Sequence, residues 1–435
     1  MNIPDKEKEL RSIGEEIYNL IVKLYPICRS ITGSGVRESL EILKDYIPLI
    51  VNEAPSGTKV FDWVVPREWN IQDAYIKDSQ GKKIVDFQKS NLHVLNYSIP
   101  VKTRVTLDEL KSHLYTLPEH PEWVPYRTTY YEEKWGFCLT HKDFLELTDT
   151  EYEVCIDSTL EDGYLTYGEL YLKGESEDEV LITTHVCHPS LCNDNLSGIA
   201  VSTMLAQNII NSRTRYSYRF LFIPGTIGSI TWLALNEEKT SRIKHGLVLA
   251  GLGDPGPITY KRSRRGNAEI DSAMIQVLKD SNDNHQILDF TPYGYDERQF
   301  CSPGFNLPAG RLSRSVYGEY PEYHTSADDL NFVNRSSLAD SFEKIMNLFS
   351  VLENNGQYLN LQPKCEPQLG KRGLYRNPGT DELALLWVLN LSDGHHSLLD
   401  ICALSGINFK TVNAAKDTLL KHQLLAVTAN RQVVE

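Results

Sequence analysis

Apolar residues at Leu10, Ile13, Ile17, Leu20, Ile21 and Leu24 fall three or four positions apart, which predicts an amphipathic helix at the N-terminus. Beyond residue 60 the period shortens. The stretch AYIKDSQGKKIVDF (74–87) predicts two strands joined by a Ser79-Gln80-Gly81 turn, and short alternating runs continue to about Val105. A small β-rich unit is therefore expected over 60–108, inserted into a larger domain made of 1–59 and 109–360. From about 135, strand-like runs (152–156, 164–172, 180–185, 218–223, 246–251 and 286–290) alternate with helical patterns after Ser197, from Ser229 and over 272–281. A long helix over 336–355 closes the series. Such alternation predicts an α/β sandwich with a largely parallel or mixed central sheet. The segment YLNLQPKCEPQLGKRGLYRNPGT then reads as a linker. Three short helices and a terminal hairpin after it predict a winged-helix domain over 365–435.

Composition narrows the function classes. The 435 residues, 41% hydrophobic and 23% charged, suit a soluble globular protein with more than one domain. No run of 18 apolar residues occurs, so no membrane span is expected. The N-terminus is charged and amphipathic rather than leader-like, and the eight cysteines form no C-x-x-C pair; a reducing cytoplasm is the expected location. A net charge of −14 argues against a general nucleic-acid binder. The winged-helix region agrees: over 371–435, seven Lys/Arg stand against six Asp/Glu, with no basic cluster on the third helix. Packing or dimerisation is the better role for it, and homo-oligomerisation stays open.

Candidate chemistry concentrates in LITTHVCHPSLCNDNLSGIA (181–200). His185 ends an apolar strand, and ligand sites in open α/β sheets lie beyond the carboxyl ends of strands. Asp194 follows nine residues later between Asn193 and Asn195, whose amides could orient a neighbouring carboxylate. A histidine and a carboxylate are natural zinc ligands, but a third is needed, and His324 in GEYPEYHTSADDL supplies one. His188 reads either as a fourth ligand or as an outer hydrogen-bond donor. Cys187 beside His188 raises a cysteine-nucleophile alternative. It is the weaker one, because adjacent side chains on an extended backbone point apart.

THVCHPSLCNDNLSGIA, LFIPGTIGS and PEYHTSADDL, in this order, resemble the zinc aminopeptidase superfamily with its phosphorylase/hydrolase-like, three-layer α/β fold. More closely, the chain resembles a bacterial aminopeptidase-like family with a β insertion and a C-terminal winged helix. CRSITGSGVRESL (28–40), YYEEKWGFCLTH (130–141) and YGYDERQFCSPGFNLPAGRL (293–312) extend the likeness over nearly the whole chain. The resemblance implies one zinc ion held by His185, Asp194 and His324. It also implies departures. Cys187 stands where an aspartate usually orients the first histidine. Gly225 and Thr226 stand where consecutive glutamates supply a general base and a second-metal ligand, and the remaining carboxylate ligand falls near Ala250.

The implied activity is hydrolysis of an amide next to a free amino group, on a small peptide or aminoacyl conjugate, with Gly225 marking the missing base. Asp296, Glu297 and Glu319 are the candidate substitutes, although a salt-bridge partner or an amino-group receptor is the favoured reading of each. Here Glu297 and Glu319 are assigned to catalysis and Asp296 to the substrate's ammonium. Arg29 and Arg298 are candidates for a carboxylate or oxyanion. Tyr130 and Tyr131 read as pocket lining or as core. From another class, the alternative is a non-catalytic binding or scaffold protein that holds an aminoacylated intermediate.

Overall fold

The computed structural model describes residues 3–375 and 381–428. Its centre is an eight-stranded mixed sheet: β1 (Ile50–Pro55), β2 (Tyr164–Leu172), β3 (Glu179–His185), β4 (Ser217–Ile223), β5 (Ile243–Leu249), β6 (Ile258–Lys261), β7 (His285–Leu288) and β8 (Ala309–Ser313). The order is β1-β2-β4-β3-β5-β8-β6-β7. β3 runs parallel to both β4 and β5, and β5 runs parallel to β8. β1 and β2 are antiparallel to their neighbours and β6 to β8, which makes the sheet mixed. Every residue of β3 and β4 is buried, as strands covered on both faces require, and both are correspondingly rich in apolar residues.

Helices cover the sheet to give the three-layer sandwich. Helix Ile227–Leu235 packs Ile227, Ile230, Trp232 and Leu233 against Leu181, Leu221 and Val248 of the sheet. Helix Gly198–Ile209, buried along almost its whole length, packs on β3, and the N-terminal helix Ile3–Leu24 packs on it in turn. The apolar stripe read from the sequence is the one used: Ile17, Leu20, Ile21 and Leu24 are fully buried. No helix among the described residues is long and apolar enough to cross a membrane.

A second sheet has the order Lys83–Asp86, Glu68–Lys77, Glu151–Glu161, Val101–Thr106. The 74–87 hairpin is present, its turn closed at Gly81 with φ 81°. The strand expected to begin the α/β rhythm at 152–156 instead lies inside this sheet, paired on both edges, so the β-rich structure extends well past residue 108. Alternation alone cannot say which sheet a strand joins.

Arg37 of helix Ser34–Lys44 ties the two sheets together. Its NH1 and NH2 donate to Glu68 Oε1 and Oε2 at 2.8 and 2.5 Å, and Glu68 also accepts from Asn70 Nδ2 and the Tyr164 N–H. The Arg37 hydrogen bond is the main cause holding the Glu68 carboxyl down at about 2. A depressed carboxyl contributes stability that is present above its unfolded pKa and lost as pH falls through the folded one. The full shift corresponds to ~3 kcal/mol, which solvent screening of this partly exposed pair reduces to about 1 kcal/mol. Glu68→Gln is thus expected to cost about 1 kcal/mol at pH 7 in denaturant titration. The difference should shrink below pH 4.5 and vanish near pH 2.

A separate compact unit comprises residues 267–285 and 344–435. Its helices Glu382–Leu391, Leu398–Ser405 and Phe409–Lys421 begin at Asp381, Ser397 and Asn408, each accepting a first-turn N–H through its side chain. The presumed linker contains a strand, Gln357–Asn360, at the centre of a three-stranded sheet with Asp393–Ser397 and Leu425–Val427. The final strand of the expected terminal hairpin falls on 429–435, outside the described residues.

Candidate metal centre

His185 is the last residue of β3, and the chain then turns through Cys192–Ser197 into helix Gly198–Ile209. The turn brings Asp194 back beneath His185. His185 Nε2 lies 2.8 Å from Asp194 Oδ1, His324 Nε2 lies 3.0 Å from Oδ2, and His188 Nε2 lies 3.9 Å from Oδ2. Asp194 is completely buried and His185 nearly so. Among the described residues, His185, His188 and Asp194 form a group whose donor atoms all lie within 4.8 Å of one another. His324 joins it through the second carboxylate oxygen. Its backbone sits in the left-handed region at φ 56°, uncommon for a residue with a side chain, and its carbonyl accepts the Tyr126 N–H at 2.7 Å.

The electrostatics suit cation binding. Burial opposes ionisation of Asp194, but the neighbouring His188 and His185 and the hydrogen bonds from His185 and His324 outweigh it and hold the carboxyl well below its usual range. Burial pushes His188 down to about 3, so its imidazole is neutral with a lone pair to share. An ionised carboxylate facing three imidazoles is a donor set that zinc accepts, so the residues present fit the ion.

The surrounding groups were not all foreseen. Asn193 and Asn195 do not touch the Asp194 carboxylate. Asn193 bonds Asp254 and the Gly253 and Asp254 N–H groups, while Asn195 accepts from the Gly198 and Gly251 N–H groups and turns its Nδ2 to Thr184 Oγ1, Leu249 O and His185 Nδ1. Asp194 is positioned instead by Asp328, which accepts the backbone N–H groups of Asn193 and Asp194 at 2.6 and 2.9 Å, and by the Tyr295 hydroxyl, 3.2 Å from Oδ1. Tyr295 also stacks on His185 (centroids 4.9 Å apart), Tyr323 stacks on His324 (3.9 Å), and Tyr126 presents its edge to His324 (5.1 Å). Asp328 lies four residues after His324 in PEYHTSADD, the one local signal that could have found it.

Gly225 follows β4 and abuts the site. A Cβ there would lie 3.1 Å from His185 Cβ and 3.6 Å from Asp296 Oδ2. The carboxylate nearest the missing base is therefore Asp296, not Glu297 or Glu319. Asp296 is buried and accepts from Ser229 Oγ at 3.0 Å through Oδ1, while Oδ2 accepts no hydrogen bond from the described residues. Burial pushes its carboxyl up to about 6, against the pull of His185 and the Ser229 hydrogen bond. Glu297 is committed elsewhere: it is fully buried with Lys261 Nζ at 3.0 Å and Arg311 NH1 at 3.8 Å, a buried ion-pair cluster. The Glu319 side chain is exposed, and none of its hydrogen bonds reaches the cluster.

Other expectations change as well. Arg29 is buried, and its N–H groups go to the carbonyls of Leu24, His188 and Pro189 and to Ser39 Oγ, which fixes the loop after His185 and leaves the guanidinium no role toward a substrate carboxylate. Arg298 is half-buried, its Nε has no hydrogen-bond partner, and its charge favours ionisation of Asp296. Tyr130 and Tyr131 are not core: they are 74% and 37% exposed. Cys187 Sγ does approach His188 Nδ1, at 3.4 Å, just beyond the end of β3. Burial pushes its thiol up to about 12, so no thiolate forms near neutral pH.

Comparison with known proteins bears on the family and the fold. Residues 18–355 match the family model described as "Domain of unknown function (DUF4910)". The chain belongs to the DUF4910 family. Residues 356–427 match a winged helix-turn-helix model. The DUF4910 chain is 55% identical over 418 residues, 95% of its length and 96% of the relative's, to a Clostridium acetobutylicum protein named "Putative polysaccharide biosynthesis protein with aminopeptidase-like domain". A crystal structure of a putative peptidase from the same organism superposes with a TM-score of 0.94 at 53% identity, covering 98% of this chain and 99% of that one. The zinc aminopeptidase BSAP of Bacillus subtilis shares the fold at 12% identity, with a TM-score of 0.56 over 78% of this chain and 94% of its own. The DUF4910 core thus has the zinc-aminopeptidase fold.

Proposed function

We propose that the chain is a zinc-dependent hydrolase of amides adjacent to a free amino group, with Asp296 as general base in place of a residue-225 side chain. The observation that carries this reading is the convergence of three imidazoles on the buried Asp194 carboxylate, with an unpartnered Asp296 oxygen beside them. Zinc would be held by Asp194, His185 and His188, with His324 on the outer carboxylate oxygen. When bound, the ion supplies a Lewis acid that polarises an amide carbonyl and acidifies water. The chain's own groups do the rest. Ser229 holds one oxygen of Asp296, leaving Oδ2 to take a proton from the attacking water and pass it to the departing amine. Tyr295 and Asp328 keep Asp194 in place.

The other reading, a binding protein for an aminoacylated intermediate, is favoured only by Gly225. Release of amino acid from a panel of aminoacyl amides by the zinc-loaded protein separates the two. Turnover by the wild type supports the hydrolase. A silent wild type that gains turnover through Gly225→Glu would point to a lost base and against Asp296. Our expectation for Gly225→Glu alone is no gain, because the new side chain brings a second carboxylate against Asp296. In the Asp296→Asn background the same glutamate should restore turnover, a rescue that a merely structural Asp296 would not allow.

A further inference from the structure

Aromatic side chains continue from the metal-binding cluster out to solvent on two sides. Tyr323, stacked on His324, passes to Tyr317 (centroids 6.3 Å apart), which passes to Tyr293 (5.7 Å), 71% exposed. On the other side Trp63 meets Tyr131 edge-on at 6.0 Å, with 46% and 37% exposure, and Tyr130 next to it is 74% exposed. Tyr130 and Tyr131 lie four and five residues beyond Tyr126, whose ring centroid is 5.1 Å from those of His188 and His324, so this side also borders the site. Both runs are held firmly. The Tyr293 carbonyl accepts from Lys261 Nζ and Tyr317 OH at 2.8 and 3.0 Å. Trp63 stands on the hairpin Lys59–Val60/Trp63–Val64, whose tip residue Phe61 packs on Phe305 at 5.7 Å.

Four of these rings, Trp63, Tyr130, Tyr131 and Tyr293, are left in water around a polar site, which marks a ligand surface rather than ordinary exposure. Their chemistry narrows the ligand. The six rings carry no charge, so they do not select a phosphate or carboxylate. They form neither an aliphatic pit for an apolar side chain nor a strand edge for an extended peptide. Flat faces tipped with the exposed hydroxyls of Tyr130, Tyr131 and Tyr293 match a ring with one C–H face and a hydroxyl-bearing rim. We propose that they form a saccharide-binding platform, so that the amide presented to the metal cluster is carried on a sugar. The sugar-borne amide rests on the hydrolase reading above; the platform itself does not. The name of the Clostridium relative, a polysaccharide biosynthesis protein, is consistent with it.

Calorimetric titration of the zinc-loaded full chain tests this with four probes: alaninamide, the methyl glycoside of N-alanylglucosamine, methyl glucosaminide and adenosine. The alanyl glycoside is expected to bind about tenfold more tightly than alaninamide, the size of one well-placed aromatic contact. Trp63→Ala and Tyr293→Ala, both solvent-exposed, should remove that increment and leave alaninamide affinity and zinc content unchanged. Equal affinity for the two amides, an increment that survives both substitutions, tighter binding of adenosine than of either glycoside, or no binding of either glycoside would each overturn the platform. Trp63-dependent binding of methyl glucosaminide without any binding of alaninamide would keep the platform and remove the hydrolase reading. Alaninamide binding with no sugar increment would do the reverse.

Discussion

Asp296→Asn is expected to lower kcat on aminoacyl amides by about 10²–10⁴-fold, the usual worth of a general base, while zinc content stays at the wild-type level. The substitution is nearly isosteric and keeps the acceptor that Ser229 bonds, so folding should survive it. It removes only the ability of Oδ2 to hold a proton. KM should change little, because a base that acts on water contributes to the transition state rather than to ground-state binding. The direction of the pH profile follows from the same group. A base must be ionised, and burial has raised this carboxyl to about 6, so turnover should fall as pH drops through that value. Asp296→Glu should recover part of the rate; a structural carboxylate in so tight a site would tolerate neither change. A large rise in KM with kcat preserved would instead return Asp296 to recognition of the substrate's ammonium.

The second large effect concerns the metal. His188→Ala is expected to abolish stoichiometric zinc binding, although the sequence ranked His188 behind His324. Its Nε2 belongs to the compact group with His185 and Asp194, and burial keeps it neutral. Losing one of three donors removes most of the chelation on which tight zinc binding depends. His324→Ala should weaken binding as well, but less, because His324 lies outside the compact group, bonding Asp194 Oδ2 and packing on the His188 ring, and is more exposed. Equilibrium dialysis of the two variants, with zinc counted per chain, distinguishes these outcomes. Equal loss in both would return His324 to the same rank as His188.

How far the sequence foretold this depends on whether a property is local. The helix over Leu10–Leu24 and the buried strands β3 and β4 follow from periodicity, because the side chains that create the pattern are the ones buried. β8 is as buried as they are, yet it reads AGRLS and carries a charged Arg311 whose partner, Glu297, opens the short helix Glu297–Phe300. No local pattern marks such a strand. The same division holds in the site. His185, His188, Asp194 and His324 stood out because their loops combine ligand-type residues with turn residues. Asp296 and Glu297 are adjacent in sequence, and only the fold decides that one faces Gly225 while the other faces Lys261. Tyr130 and Tyr131 were weighed as core because large aromatics usually are buried. Their exposure is a property of the surface on which they end up.

The most direct test of the account is zinc counted per chain by elemental analysis, after dialysis of the wild-type protein against micromolar zinc, with amino-acid release from aminoacyl amides measured on the same sample. The account predicts one tightly held ion and turnover that disappears with a chelator and returns with zinc. A chain that retains no zinc, or that retains one and turns over equally well after its removal, would contradict it.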